Sequence, residues 1–237
     1  MAEIIREGKW EIPVLYEDNH LLVVVKPPNL PSQADSSLDR DLQSILKEYI
    51  GKKYQKPGNV YLGLVHRLDR PVGGVMVFAR TSKAAARLSE AFSSHLQDRR
   101  YLAVLQGALS GERILEDWLW KDADGMTRVV NPDTPGARSA RLRTRPLALR
   151  RGLTLAEICL FTGRKHQIRV QHAHLGLPLW GDARYGGGRP GQQIALWAYR
   201  LEFAHPTRRE PLRFCFLPPM TGIWAEFQRE IEELADV

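Results

Sequence analysis

Residues 65–80, VHRLDRPVGGVMVFAR, gather the side chains that chemistry on a charged substrate needs. One carboxylate, Asp69, stands among three basic neighbours, His66, Arg67 and Arg70. Pro71 and the pair Gly73-Gly74 follow. Then comes an apolar run, 75–79, that reads as a buried strand. Rigid elements can hold an aspartate in a loop beside such a strand, and the glycines leave room for a ligand to come close. Spacing alone leaves two readings open. Asp69 is a catalytic carboxylate, or it is half of an Asp-Arg pair that caps a turn.

The elements that must position this loop follow from the hydrophobic pattern. Residues 13–15 and 21–25 flank Glu17-Asp18-Asn19 and predict a hairpin, stopped by Lys26-Pro27-Pro28-Asn29. Leu38, Leu42, Ile45, Leu46, Tyr49 and Ile50 recur at helical spacing, with Ser36 or Ser37 as cap and Gly51 as stop. Lys52, Lys53 and Lys56 follow in a polar loop, on a solvated face or in reach of phosphate. Residues 60–68 read as a strand leading to Asp69. After the 75–79 strand, Thr81 or Ser82 caps a helix whose inner face carries Ala84, Leu88, Ala91 or Phe92, and His95 or Leu96. Arg99-Arg100 precede a strand at 101–106. Residues 111–135, rich in Asp, Gly, Pro and Trp, predict a hairpin arm or insertion.

Residues 138–151 hold six arginines and no acid. Their partial alternation with small and apolar residues predicts an edge strand with one basic face. The basic residues contact a polyanion, or they protect an edge from pairing. A strand at 153–161, a turn at Thr162-Gly163 and a helix near 166–175, ended by Gly176 and Pro178, come next. Strands at 193–204 and 212–217 and an amphipathic helix through Trp224, Phe227, Ile231 and Leu234 close the chain. Hairpins, strands and only three or four helices predict an α+β domain.

Composition narrows the function. The 237 residues are 43% hydrophobic, which supports a core and excludes global disorder. Lys+Arg exceed Asp+Glu by 34 − 27 = 7, with a sequence pI of about 9.6, favouring a polyanionic partner. Cys159 and Cys215 lie in apolar strand-like runs and are expected as buried free thiols of a reducing cytosol. No run approaches the roughly 20 apolar residues of a membrane helix, and the first residues lack a signal-peptide core. A soluble, cytoplasmic protein is expected. There is no CxxC, Walker loop, GxGxxG or HExxH. His172 and His174, two apart on a predicted helix, point away from each other, so no metal pair is expected there.

Three stretches together resemble the RluA family of pseudouridine synthases. HRLDRPVGGVMVFARTSKAA is similar to its catalytic-aspartate motif. RRYLAVLQG at 99–107 is similar to its tyrosine strand. FTGRKHQIRVQHAHLGLPLWGDARYG at 161–186 is similar to its TGRxHQIRV helix and GDxxYG loop. The resemblance runs from about residue 14 to 218. Val72-Gly73 replace the usual Thr-Ser, Trp197 replaces a His, and Asn29 stands where glycine is usual. Asn tolerates the left-handed conformation, so that last exchange is mild.

The resemblance implies a mixed, largely antiparallel central sheet in two halves with flanking helices and an active site in the cleft between them. It also implies one catalytic domain over 1–237, without the separate N-terminal RNA-binding module of some relatives. Its implied activity is the isomerisation of uridine to pseudouridine in ribosomal or transfer RNA, with no metal or other cofactor. Asp69 is then the catalytic carboxylate, Tyr101 lies against the target base, and Arg169 pairs with the aspartate. Arg67 enters the RNA stack where the flipped uridine leaves. His66, Arg70, Arg164, Lys165, Arg138, Arg141 and Arg143 are further expected RNA contacts, and the protein is expected as a monomer. Two rivals remain at this level: a catalytically silent RNA binder of the same fold, and an N-glycoside hydrolase using Asp69 with a second acid.

Overall fold

Two uninterrupted apolar segments, Leu21–Lys26 (β3) and Gly73–Ala79 (β5), are buried along their whole length and pair antiparallel, Leu21 opposite Ala79 and Lys26 opposite Gly74. A computed structural model describes residues 3–36, 38–94 and 97–235. Among these, twelve strands and four α-helices make an α+β fold with a mixed, mostly antiparallel sheet, as the sequence predicts. The chain forms two compact units. One comprises residues 1–98 and 200–216, the other 99–199 and 217–237.

In the first unit, Ile4–Glu7 (β1), Trp10–Glu17 (β2), β3 and β5 pair in that order, and Gly63–Leu64 (β4) adds to β5. The predicted 13–25 hairpin is thus present, but the 60–68 strand shrinks to these two residues. Leu42–Lys53 (α1) starts later than predicted. Its cap is Asp41, whose Oδ1 accepts the N–H of Ser44 at 3.0 Å. Leu38 is 94% exposed with φ of +58°, so it lies outside the helix, as does Ser36. Ser37 falls outside the described residues. Gly51 is inside α1, and Lys53 pairs with Glu3 and Glu17. Ser82–Ser93 (α2) is capped by Thr81 and buries Ala84, Leu88 and Phe92 against Val75 and Val77 of β5. His95 and Leu96, candidates for the same face, lie outside the described residues.

In the second unit, Asp98–Gln106 (β6), Arg113–Lys121 (β7), Thr127–Val130 (β8), Arg138–Arg150 (β9) and Leu153–Leu160 (β10) pair in the order β6-β10-β9-β7-β8. The predicted 111–135 arm is the β7–β8 hairpin. The arginine strand β9 is no edge: β7 and β10 cover both of its sides, so edge protection does not explain its composition. Gln167–His174 (α3) is buried over most of its length. Leu196–Ala204 (β11) passes from the second unit into the first, where Pro211–Cys215 (β12) pairs with residues 200–204. The C-terminal segment is a 3-10 turn, Gly222–Phe227, followed by the short Gln228–Glu232 (α4), rather than one helix. It still buries Trp224, Phe227 and Ile231. Neither cysteine forms a disulfide; Cys159 on β10 is only partly buried, and Cys215 is exposed because β12 turns alternate residues to solvent. No helix of the described residues is long and apolar enough to cross a membrane.

Candidate active site

Asp69 sits in a tight turn ahead of β5, with Val72 N–H donating to its carbonyl at 3.0 Å. The flanking Leu68 and Val72 are buried and anchor the turn in the core. Both chain neighbours of Asp69 are tied by the end of β3 and the segment that follows it. Ser32 Oγ donates to the carbonyl of Leu68 at 2.8 Å and accepts its N–H at 3.3 Å. On the other side, the carbonyl of Arg70 accepts the N–H of Asn29 at 2.8 Å and the Nζ of Lys26 at 3.0 Å. Asn29 does adopt the left-handed conformation, with φ of +65°. Lys26 is fully buried and also donates to Leu30 O at 2.6 Å and Pro27 O at 3.1 Å. Burial lowers its pKa to about 7; the charge of Asp69 opposes that shift and the charge of Arg70 adds to it. The expected basic neighbours divide. Arg67 is exposed, and Arg70 pairs with Asp39. The His66 ring stacks on Phe92 with centroids 4.7 Å apart, and its Nε2 accepts the N–H of Val77 at 3.0 Å. These two contacts hold the His66 ring against α2 and β5.

Tyr101 and Arg169 belong to the second unit. Register places Tyr101 opposite Ile158, and Ile158 opposite Thr144. Thr144 Oγ1 lies 3.2 Å from Nε2 of the fully buried His172 of α3, so Tyr101 and α3 share one face of these strands. Arg169 grips Asp182 with two bonds, Nε to Oδ2 at 2.8 Å and Nη2 to Oδ1 at 2.7 Å, with both side chains nearly buried. Its guanidinium also lies 5.2 Å from the centroid of the Tyr185 ring. Tyr185 Oη accepts the N–H of Thr127 and lies 2.8 Å from Nδ1 of His166.

The loop that carries Asp182 and Tyr185 needs its glycines. A Cβ on Gly181 (φ +77°) would lie 2.1 Å from Gln193 O, and one on Gly187 would lie 1.8 Å from Leu179 O. Sequence reasoning alone leaves Asp182 as a loop residue and misses it as a partner of Arg169. The signal is present, since Asp182 is the sole acid in the stretch 161–186 that resembles the family motifs.

The arginines of β9 do not share a face, contrary to expectation. Arg143 lies opposite Cys159, which lies opposite Arg100, and this row faces away from the Tyr101 row. Arg141 has the same parity as Arg143, pairs with Glu116 at 2.7 Å and stacks on Phe161. Arg138 has the parity of Ala140, which packs against Val170 of α3. It therefore stands on the α3 side with Arg164, while Lys165 reaches Gly125 O at 3.0 Å.

A family model described as RNA pseudouridylate synthase matches residues 20–174. Ribosomal large subunit pseudouridine synthase D of Xanthomonas campestris pv. campestris is 38% identical over 221 residues, covering 84% of this chain and 64% of that protein. tRNA pseudouridine synthase C of Vibrio cholerae is 30% identical over 224 residues, covering 85% and 88%. The chain spans about two thirds of the length of several such relatives, 64 to 67%. Among solved structures, human RNA pseudouridylate synthase domain containing 4 has the same fold, with a TM-score of 0.73 at 22% identity over 92% of both chains. This chain belongs to the RluA family of RNA pseudouridine synthases, which are isomerases.

Proposed function

We propose that the chain converts specific uridines of structured RNA, ribosomal or transfer, to pseudouridine, with Asp69 as the catalytic carboxylate. The observation that carries this reading is the fixation of Asp69. Its two neighbours are pinned by Ser32, Asn29 and Lys26, so the carboxylate is presented by a rigid turn in a chain of this family. The reaction breaks the N1–C1′ bond, turns the base and joins C5 to C1′. It needs a carboxylate at the sugar or base and a group that moves the C5 proton. Tyr101, on its strand beside the α3 face, is the candidate for that proton. Arg169, held by Asp182, supplies a fixed positive charge. Arg67, exposed beside Asp69, is the candidate to fill the gap left by a flipped uridine. The two units are read as one catalytic domain, because the family match runs across both.

The test is incubation with uridine-labelled RNA, followed by digestion to nucleosides. Pseudouridine is expected from wild type and none from Asp69→Asn, with RNA binding retained within a few-fold. Release of free uracil would indicate a glycoside hydrolase, unchanged uridine a silent binder. Substantial turnover by Asp69→Asn would remove the aspartate from the mechanism.

A further inference from the structure

Positive charge gathers on the α3 side of the second unit, at the start of β9, ahead of α3 and at the tip of the β7–β8 hairpin. Arg138 opens β9 and is exposed. Arg164 precedes α3, and its Nε donates to the carbonyl of Ser139 at 2.9 Å, which fixes the guanidinium beside the residue next to Arg138. The two charges feel each other: burial and then the charge of Arg138 pull the pKa of Arg164 below the ordinary arginine value. Two more cations meet at the tip of the β7–β8 hairpin. A Cβ built on Gly125 would lie 3.8 Å from Nη2 of Arg184 and 3.9 Å from Nζ of Lys165. The β7 strand pairs with the start of β9, Leu119 opposite Arg138, so the tip and Arg138 stand at the same end of the strands. The tip's own carboxylates, Asp122 and Asp124, both engage Arg128. Among the described residues, Arg138, Arg164 and Arg184 have no carboxylate partner in an ion pair.

Holding like charges together costs free energy unless an anion joins them. We propose that Arg138, Arg164, Lys165 and Arg184 form a cradle for a backbone phosphodiester of RNA, an inference that rests on the reading of the chain as an RNA-modifying enzyme. Guanidinium forks match phosphate oxygens in pairs, and the ammonium of Lys165 adds a point charge. Such an interaction carries no base information. It sets where the RNA lies along the protein, and Arg184 becomes a substrate-positioning residue that the motif resemblance did not mark.

The test compares wild type with Arg138→Gln, Arg184→Gln and the double variant. Binding of a labelled uridine-containing hairpin RNA is titrated with salt. Melting is followed in inorganic phosphate and in chloride at equal ionic strength. Each single variant is expected to bind the RNA about three- to tenfold more weakly and to lower the slope of log K against log salt by about 0.7 to 0.9. Arg138→Gln should melt no lower than wild type, because it removes a charge that opposes Arg164. Unchanged slopes in the double variant would overturn the cradle. A phosphate-specific rise in melting temperature that the variants lose, with RNA slopes unchanged, would assign the site to a free anion and overturn the RNA reading. Pseudouridine formation is scored separately. Wild-type protein that binds with the full slope but makes no pseudouridine would sink the enzymatic reading and leave the cradle standing.

Discussion

The ammonium of Lys26 lies 3.0 Å from the carbonyl oxygen of Arg70, across 44 positions of chain, and is fully buried there. The bond ties the end of β3 to the residue after Asp69. A charge in that place sets how stability depends on pH. Burial lowers the Lys26 pKa from 10.5 to about 7. Between those values the unfolded chain binds more protons than the folded one, so this group makes stability rise with pH across that window. The slope should reach up to about 1.4 kcal/mol per pH unit. Below about pH 7 the full cost of the buried charge is present. Lys26→Met should lose this slope and, at pH 9, be less stable than wild type by about 2 kcal/mol, because three carbonyls lose their donor. Urea unfolding of both proteins from pH 7 to 10 measures it; parallel profiles would reject the account.

Ser32 holds both backbone groups of Leu68, the residue before Asp69. Ser32→Ala should destabilise by about 1 to 2 kcal/mol. Its effect on turnover should exceed its effect on binding: a loosened carboxylate lowers kcat while KM moves little. Steady-state kinetics on one RNA decides this. A change confined to KM would show that Ser32 does not position the aspartate.

Arg169 and Asp182 form a nearly buried, two-bonded pair. Removing either partner takes two charge-assisted bonds from a nearly buried charge, so Asp182→Ala should cost about 3 to 5 kcal/mol. A double replacement by apolar residues, Arg169→Met with Asp182→Leu, should recover much of that stability but no activity. Thermal melts and nucleoside digests of the three proteins test the pair. Equal stability of the single and double variants would show that the pair is not coupled.

Arg141 and Arg143 point away from the Tyr101 face of their strands. Arg141 is already paired with Glu116, and Arg143 lies 4.0 Å from Glu112. Exposed pairs of this kind are weak, typically below about 1 kcal/mol, so RNA phosphate can replace them. Arg141→Glu with Arg143→Glu should raise KM, flatten the salt dependence by about 0.7 for each phosphate no longer bound, and spare kcat. Salt titrations of wild type and double variant with equal affinity and parallel lines would remove this face from RNA binding.

What the sequence determined by itself is short-range. Continuous apolar runs bounded by turn residues marked β3 and β5, and Thr81 marked the start of α2. The motif order around Asp69, Tyr101 and Arg169 marked the family, because chemistry constrains residue types at fixed local spacing. Tertiary structure alone decided the rest. Helical spacing included Leu38 in α1, yet the carboxylate of Asp41 offered a better cap and left Leu38 in solvent. Alternation recognised β9 but was blind to its neighbours, so it read a strand flanked on both sides as an edge. It also joined Arg138 to Arg141 and Arg143, although a period of two residues sends odd and even positions to opposite faces. Asp182 as the partner of Arg169, and Ser32 and Lys26 as the pins of Asp69, arise where distant segments meet. Local propensity reaches only a few residues, while buried polar groups take whichever partner the packed chain brings within bonding distance.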